Sequence, residues 1–167
     1  MKFEKIIEEW RSTTEFKDRE IEQEKLEKIF SMTSRAPTAF NLQPHQFKLV
    51  ENPDRLEDSM VPGNEWIVEA PLVAVLVGDE RIDTNLEEAL SDMIKKGYLE
   101  EDQAEEYRQR ISGYSDRSEE FVTGWLSRNT MIPAAFFMLA ARNEGLGSCP
   151  VRGFSQEKVS DELELDS

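Results

Sequence analysis

Between residues 118 and 143 the chain carries a helical pattern so apolar that it dictates much of what can surround it. Phe121, Trp125, Ile132, Phe136, Leu139 and Ala140 fall on one side at helical spacing. The run Ala134-Ala135-Phe136-Phe137-Met138-Leu139-Ala140-Ala141 is apolar nearly all round. Such a helix must be covered on most faces, either at the centre of the fold or at a subunit interface. Pro133 lacks an N–H and crowds the preceding turn, so the pattern predicts a kink or a new segment there. Gly145 supplies the stop.

The rest of the chain alternates helical and strand signals. Phe3, Ile6, Ile7 and Trp10 mark a first helix, and Ile21, Leu26, Ile29, Phe30 and Met32 a second between Glu20 and Thr33. Pro37 stops it, and Gln43-Pro44 bends the chain again. Phe47 to Val50 alternates like a short strand, and Asn52-Pro53-Asp54 reads as a turn opening a helix. Pro62-Gly63-Asn64 is a break. Leu72 to Val77 is a continuous apolar run, expected as a buried central strand. Residues 84 to 111 are densely charged around Gly97. They predict a helical hairpin with Leu86, Leu90, Ile94, Leu99, Tyr107 and Ile111 facing inward and a solvated outer face. Ser155 is placed to cap a last helix over Gln156 to Leu163. With 167 residues and no internal repeat or linker, one domain over 1–167 is expected.

Composition narrows the function classes. The net charge is -15, from 35 acidic and 20 basic residues, which disfavours nucleic acid and anionic membranes as partners. It suits a solvated acidic surface, or one adapted to high salt, where screening removes self-repulsion. No apolar stretch reaches membrane-spanning length and no signal-peptide core opens the chain, so a cytoplasmic location is expected. One cysteine, Cys149, and one histidine, His45, leave no disulfide framework and no expectation of a metal site. There is no phosphate-binding P-loop, and Gly145-Leu146-Gly147 follows a helix, without the third glycine of a dinucleotide fold. No convincing side-chain catalyst emerges, which fits an enzyme whose chemistry is carried by a bound cofactor.

Two segments carry a specific pattern. Ala36-Pro37-Thr38-Ala39-Phe40-Asn41-Leu42-Gln43-Pro44 places small residues and two amides after a helix stop, and Gly145-Leu146-Gly147-Ser148-Cys149 precedes Gly153-Phe154. With Trp10-Arg11-Ser12-Thr13-Thr14-Glu15-Phe16 and Val68-Glu69-Ala70-Pro71, they resemble, in order, the signature segments of the nitroreductase family of FMN-dependent oxidoreductases. The likeness runs from about Phe3 to Leu165. Trp10 and Thr14 stand where the family is usually basic, so the phosphate clamp keeps Arg11. Family members also continue beyond this chain with a further strand, often a late basic phosphate ligand, and a C-terminal arm. The expectation is therefore a family domain without its C-terminal part.

The resemblance implies an α+β fold, with a small, mostly antiparallel sheet sandwiched by helices, and a homodimer with two FMN sites at its interface. Arg11 and Ser12 would hold the flavin phosphate. Pro37, Thr38, Ala39, Asn41 and Gln43 would reach the flavin bound mainly by the other subunit, with Asn41 on the pyrimidine edge. Val151, Arg152 and Gly153 would lie along the ring near N5, where Gly153 allows close approach. Asn64 sits one position from a family asparagine contact. Phe40 and His45 are candidates for the substrate-side wall. NADH or NADPH would deliver hydride to flavin N5, and a nitroaromatic or quinone would take it in a ping-pong cycle. The alternatives are a weak flavin-binding or structural module, and another reductive activity such as dehalogenation or ene reduction.

Overall fold

The structure is a computed structural model in which residues 2–114 and 116–165 are described. Met1, Ser115, Asp166 and Ser167 lie outside the described residues. Among the described residues, six α-helices and two strands follow one another as α1 (Phe3–Glu9), α2 (Gln23–Thr33), β1 (His45–Val50), β2 (Val73–Gly78), α3 (Ile82–Lys95), α4 (Glu101–Ile111), α5 (Glu119–Asn143) and α6 (Gln156–Glu162). Short 3-10 turns cover Ala39–Asn41, Pro53–Ser59 and Glu65–Glu69. The strands form a two-stranded sheet. The Asp79 N–H, just past β2, donates to the Pro44 carbonyl just before β1 at 3.1 Å, as an antiparallel pair requires. The chain divides into two compact units, one of residues 1–33, 48–75 and 136–167, the other of 34–47 and 76–135.

In the second unit, helical spacing decides the core. Ile82, Leu86 and Leu90 recur every four residues along α3 and are buried. They pack with Ala104 and Ile111 of α4, Val122, Trp125 and Leu126 of α5, and Leu42. Gln103 Oε1 accepts the Glu100 N–H at 2.9 Å to start α4. Arg108 on α4 reaches Glu87 on α3 at 3.0 Å and Glu101 at 3.1 Å, so the charged face of the hairpin is internally paired. In the first unit, Ile29, Ala140 and Ala141 form one cluster, and Val50, Leu56 and Val159 another.

Helix termini follow their local signals. Gly145 adopts φ 79°, its N–H donates to Arg142, and Leu146 N–H donates to Ala141, which closes α5 with a paired left-handed cap. Ser155 Oγ accepts from Lys158 N at 3.3 Å and opens α6.

Four expectations change or narrow. Among the described residues β2 is not a central strand: it pairs with β1 alone, and Val73 to Val77 are half-buried. A continuous apolar run reports burial on two faces, not the number of neighbouring strands. α5 passes through Pro133 as one helix and begins no new segment. Its buried side carries Val122, Trp125, Leu126, Asn129 and Pro133, whereas Ile132 and Phe136 are 40% and 38% exposed, beside Met131 at 60%. In a stretch apolar all round, periodicity cannot choose the inward face. On α1, Ile6 is buried while Phe3 and Ile7 face outward. Among the described residues, no helix is long and apolar enough to cross a membrane.

Candidate functional site

Ser148 is the knot of the first unit. Ser12 and Ser148 form an isolated parallel bridge, and the Thr13 N–H donates to the Ser148 carbonyl at 3.1 Å. The Trp10 indole N–H donates to Ser148 Oγ at 3.3 Å. The contact is close: a Cβ built on Gly147 would stand 2.5 Å from Thr13 Oγ1 and 2.9 Å from Thr13 Cβ and Cγ2. The Gly145–Gly153 loop and the Trp10–Thr13 segment therefore hold each other. Arg11 follows α1, and its Nη1 donates to the carbonyls of Glu8 and Trp10 at 2.7 and 2.6 Å. Among the described residues no carboxylate forms an ion pair with Arg11 or Arg152. Arg11 and Ser12 are exposed, a cation and a hydroxyl side by side.

The same loop is fixed at its far end. Val61 N–H and Asn64 Nδ2 both donate to the Gly153 carbonyl at 3.1 Å. A Cβ on residue 153 would lie 1.8 Å from Asn64 Nδ2, so any larger residue here must displace the Asn64 amide.

In the second unit the 37–44 loop carries unusual backbone. Phe40, Asn41 and Gln43 have φ of 53°, 58° and 45°. Asparagine tolerates this left-handed region; phenylalanine and glutamine do so at a cost, and such residues persist only where the surroundings over-determine them. The surroundings here are specific. Leu42 and Pro44 are buried, and the Phe40 ring meets Tyr107 edge-on at 5.6 Å. Thr38 Oγ1 accepts the Gln43 N–H at 2.9 Å. Asn129 Oδ1, from α5, accepts the Ala39 N–H at 2.8 Å. Asn41 and Gln43 are exposed, with Gln43 Nε2 donating to Asn41 Oδ1 at 3.3 Å.

A cavity of about 340 Å³ opens beside this loop, lined by Asn41, Gln43, His45, Asp79, Arg81 and Asn85 among others. Two hydrogen bonds from the Arg81 guanidinium, at 3.0 and 2.7 Å, hold the Asp79 carboxyl down at about 2. Burial holds the His45 imidazole below its ordinary range, and its buried Nδ1 has no hydrogen-bond partner among the described residues. Those residues contain no group of three or more His, Cys, Asp or Glu placed to hold a metal ion.

The pattern described as the Nitroreductase family matches residues 7–167. The chain belongs to the nitroreductase family. It is 29% identical over 168 residues to MhqN of Bacillus subtilis, provisionally named an NAD(P)H nitroreductase, covering 98% of this chain and 82% of MhqN. It is 32% identical over 148 residues to a protein of Thermus thermophilus named NADH dehydrogenase, covering 85% of this chain and 69% of that one. A provisionally named nitroreductase of Exiguobacterium sibiricum, solved in complex with FMN, shares the fold at a TM-score of 0.89 and 20% identity, over all of this chain and 82% of that one. As a nitroreductase-family member the protein is an oxidoreductase enzyme.

The residues expected to form the site of this nitroreductase-family chain fall in both of its units. Arg11, Ser12, Asn64, Val151, Arg152 and Gly153 lie in the first, where the 145–153 loop is bonded to both the Trp10–Thr13 segment and Asn64. Pro37, Thr38, Ala39, Asn41 and Gln43 lie in the second, on the strained loop. Sequence reading missed two participants. Trp10 reads as a lost cation; in the fold its indole is an anchor for Ser148. Asn129 drew no notice, although a lone amide four residues from Trp125 and four from Pro133 on a buried face is itself a signal.

Proposed function

We propose that the protein binds FMN and passes reducing equivalents from NADH or NADPH to small electron-poor acceptors. The observation that carries this reading is the double tether of the 145–153 loop, at Ser148 to the Trp10–Thr13 segment and at Gly153 to Asn64. It joins the residues assigned to the phosphate and those assigned to the ring edge in one hydrogen-bonded framework.

The residues fit the cofactor's chemistry. Arg11 and Ser12 offer a guanidinium with no carboxylate partner among the described residues, and an exposed hydroxyl, the donor set a phosphate monoester takes. Val151, Arg152 and Gly153 present backbone beside the ring, with Gly153 held by Asn64. Pro37, Thr38, Ala39, Asn41 and Gln43 serve the flavin of the partner subunit, with Asn41 on the pyrimidine edge. FMN held by these residues would supply hydride chemistry between NADH or NADPH and a nitroaromatic or quinone, in two separate half-reactions. No protein acid is required in this scheme. Phe40 and His45 wall the acceptor side and exclude water by stacking and bulk. The homodimer this reading needs is supported by the apolar row Met131, Ile132 and Phe136 exposed along α5.

The test is colour and turnover. Purified protein titrated with FMN should quench flavin fluorescence with saturation, and the loaded protein should oxidise NADH or NADPH when menadione or a nitroaromatic is supplied. Protein that leaves FMN fluorescence unquenched refutes the reading. One observation favours a second reading, a weak flavin-binding or structural module: Trp10 spends its polar atom on Ser148 where the family usually places a cation. FMN binding with no turnover on any acceptor would select it.

A further inference from the structure

We propose that Asn129 is the positioning residue that sets the conformation of the 38–43 loop and so the presentation of Asn41. The proposal rests on the reading that Asn41 contacts FMN.

Asn129 lies in α5 and is 7% exposed, one of few buried polar side chains. Burying an amide is unfavourable unless both of its ends are satisfied. Here both are. Nδ2 donates to the Trp125 carbonyl at 3.0 Å, and Oδ1 accepts the Ala39 N–H at 2.8 Å. The two bonds fix the orientation of the amide, since a flip would set oxygen against the Trp125 carbonyl and NH₂ against an N–H.

Ala39 opens the 3-10 turn Ala39–Asn41, and the first N–H of a turn has no partner within it. Thr38 precedes the turn but makes no side-chain cap; its hydroxyl takes the Gln43 N–H instead. Asn129 therefore does the cap's work from another helix. Immediately after this anchor come Phe40, Asn41 and Gln43, all left-handed. A loop holding several such residues relaxes when an anchor is lost. The side chain of Asn41 leaves the backbone within this strained run, so its direction follows the hold that Asn129 keeps on Ala39.

The experiment compares Asn129→Leu, which keeps the volume without the acceptor, and Asn129→Asp at mildly acidic pH, where the buried carboxyl is protonated and keeps both an acceptor oxygen for Ala39 and an O–H donor for the Trp125 carbonyl. Each is made in the wild-type and the Asn41→Ala background. FMN affinity is read by fluorescence quenching, and hydrogen exchange is followed at the amides of 39–43 and along 119–143. Asn129→Leu is expected to weaken FMN binding by about tenfold, the scale of one lost buried hydrogen bond. It should raise exchange at 39–43 while 119–143 stays protected. In the Asn41→Ala background the same change should weaken binding less than about twofold, because coupled residues do not add. Asn129→Asp should stay within about twofold of wild type in both affinity and loop exchange. Unchanged affinity in Asn129→Leu, or an equal loss with and without Asn41, overturns the proposal. If wild-type protein binds no FMN, the flavin reading fails, and exchange alone decides the hold on the loop. No rise at 39–43, or a rise spread along α5, then overturns it. Should Asn129→Leu not fold, loss of loop protection in Asn129→Asp overturns it.

Discussion

Replacing Gly153 by alanine tests the framework of the first unit at its tightest point. The new Cβ would meet Asn64 Nδ2 at 1.8 Å, Val61 Cγ2 at 2.9 Å and Asn64 Cγ at 3.1 Å. The backbone of residue 153 has no positive φ, so alanine adds contact and no torsional strain. The amide of Asn64 must swing away and lose its bond to the Gly153 carbonyl, which costs about 0.5–1.5 kcal/mol. Displacing Val61 adds overpacking of about 1–3 kcal/mol. The lower entropy of the unfolded chain returns about 0.5 kcal/mol. The net loss is about 1–4 kcal/mol, and in a chain of this length each kcal/mol moves Tm by about 2–4 °C. Thermal unfolding should therefore fall by roughly 2–16 °C. The control is Asn64→Ala. In that background the shortest contact is gone, only Val61 resists, and Gly153→Ala should cost about half as much. An unchanged Tm, or the same drop with and without Asn64, would refute the reasoning.

Three further outcomes follow from the structure. Gly147→Ala should be costlier than Gly153→Ala, because it strikes three atoms of the β-branched, rotamer-poor Thr13; Thr13→Ala should recover most of the lost Tm. Asp79 has a pKa lowered from 3.8 to about 2 by its Arg81 bonds, so its contribution is complete above about pH 4 and fades as pH falls toward 2. Chemical denaturation of wild type and Asp79→Asn should differ most near neutrality and converge at pH 2; a gap that widens on acidification refutes the assignment. With a net charge of -15, the melting temperature should rise between low and molar salt, and a flat or falling curve would show that self-repulsion does not limit this fold.

Features that depend on neighbours in sequence were legible, and those that depend on distant ones were not. The Gly145 cap, the Ser155 cap and the α3–α4 hairpin are short-range, and the residues that make them are adjacent in the chain. The motif segments were readable as a pattern, and Asn64 was placed near the site by likeness, but its bond to Gly153 spans 89 positions and leaves no local trace. Asn129 and Ala39 are 90 positions apart, and a lone amide on an apolar helix face does not tell which distant N–H it meets. Trp10 misled because a missing charge is visible in sequence while an indole's acceptor is not. The inward face of α5 is legible at Trp125 and Ala140 but not at Ile132 and Phe136, because Met131 to Leu139 offers almost no polar residue to mark the outside.

The Ser148 knot also sets an order of events during synthesis. Trp10 and its acceptor are separated by 138 positions, so the N-terminal segment leaves the ribosome long before its docking site exists. Until residue 148 emerges, Arg11 and Ser12 have no template to hold them, and α1 gains little from its short apolar face. Long-range closures of this kind come late and slow the search. A nascent chain arrested before that point should leave its first dozen residues open to protease, and one arrested well after it should protect them.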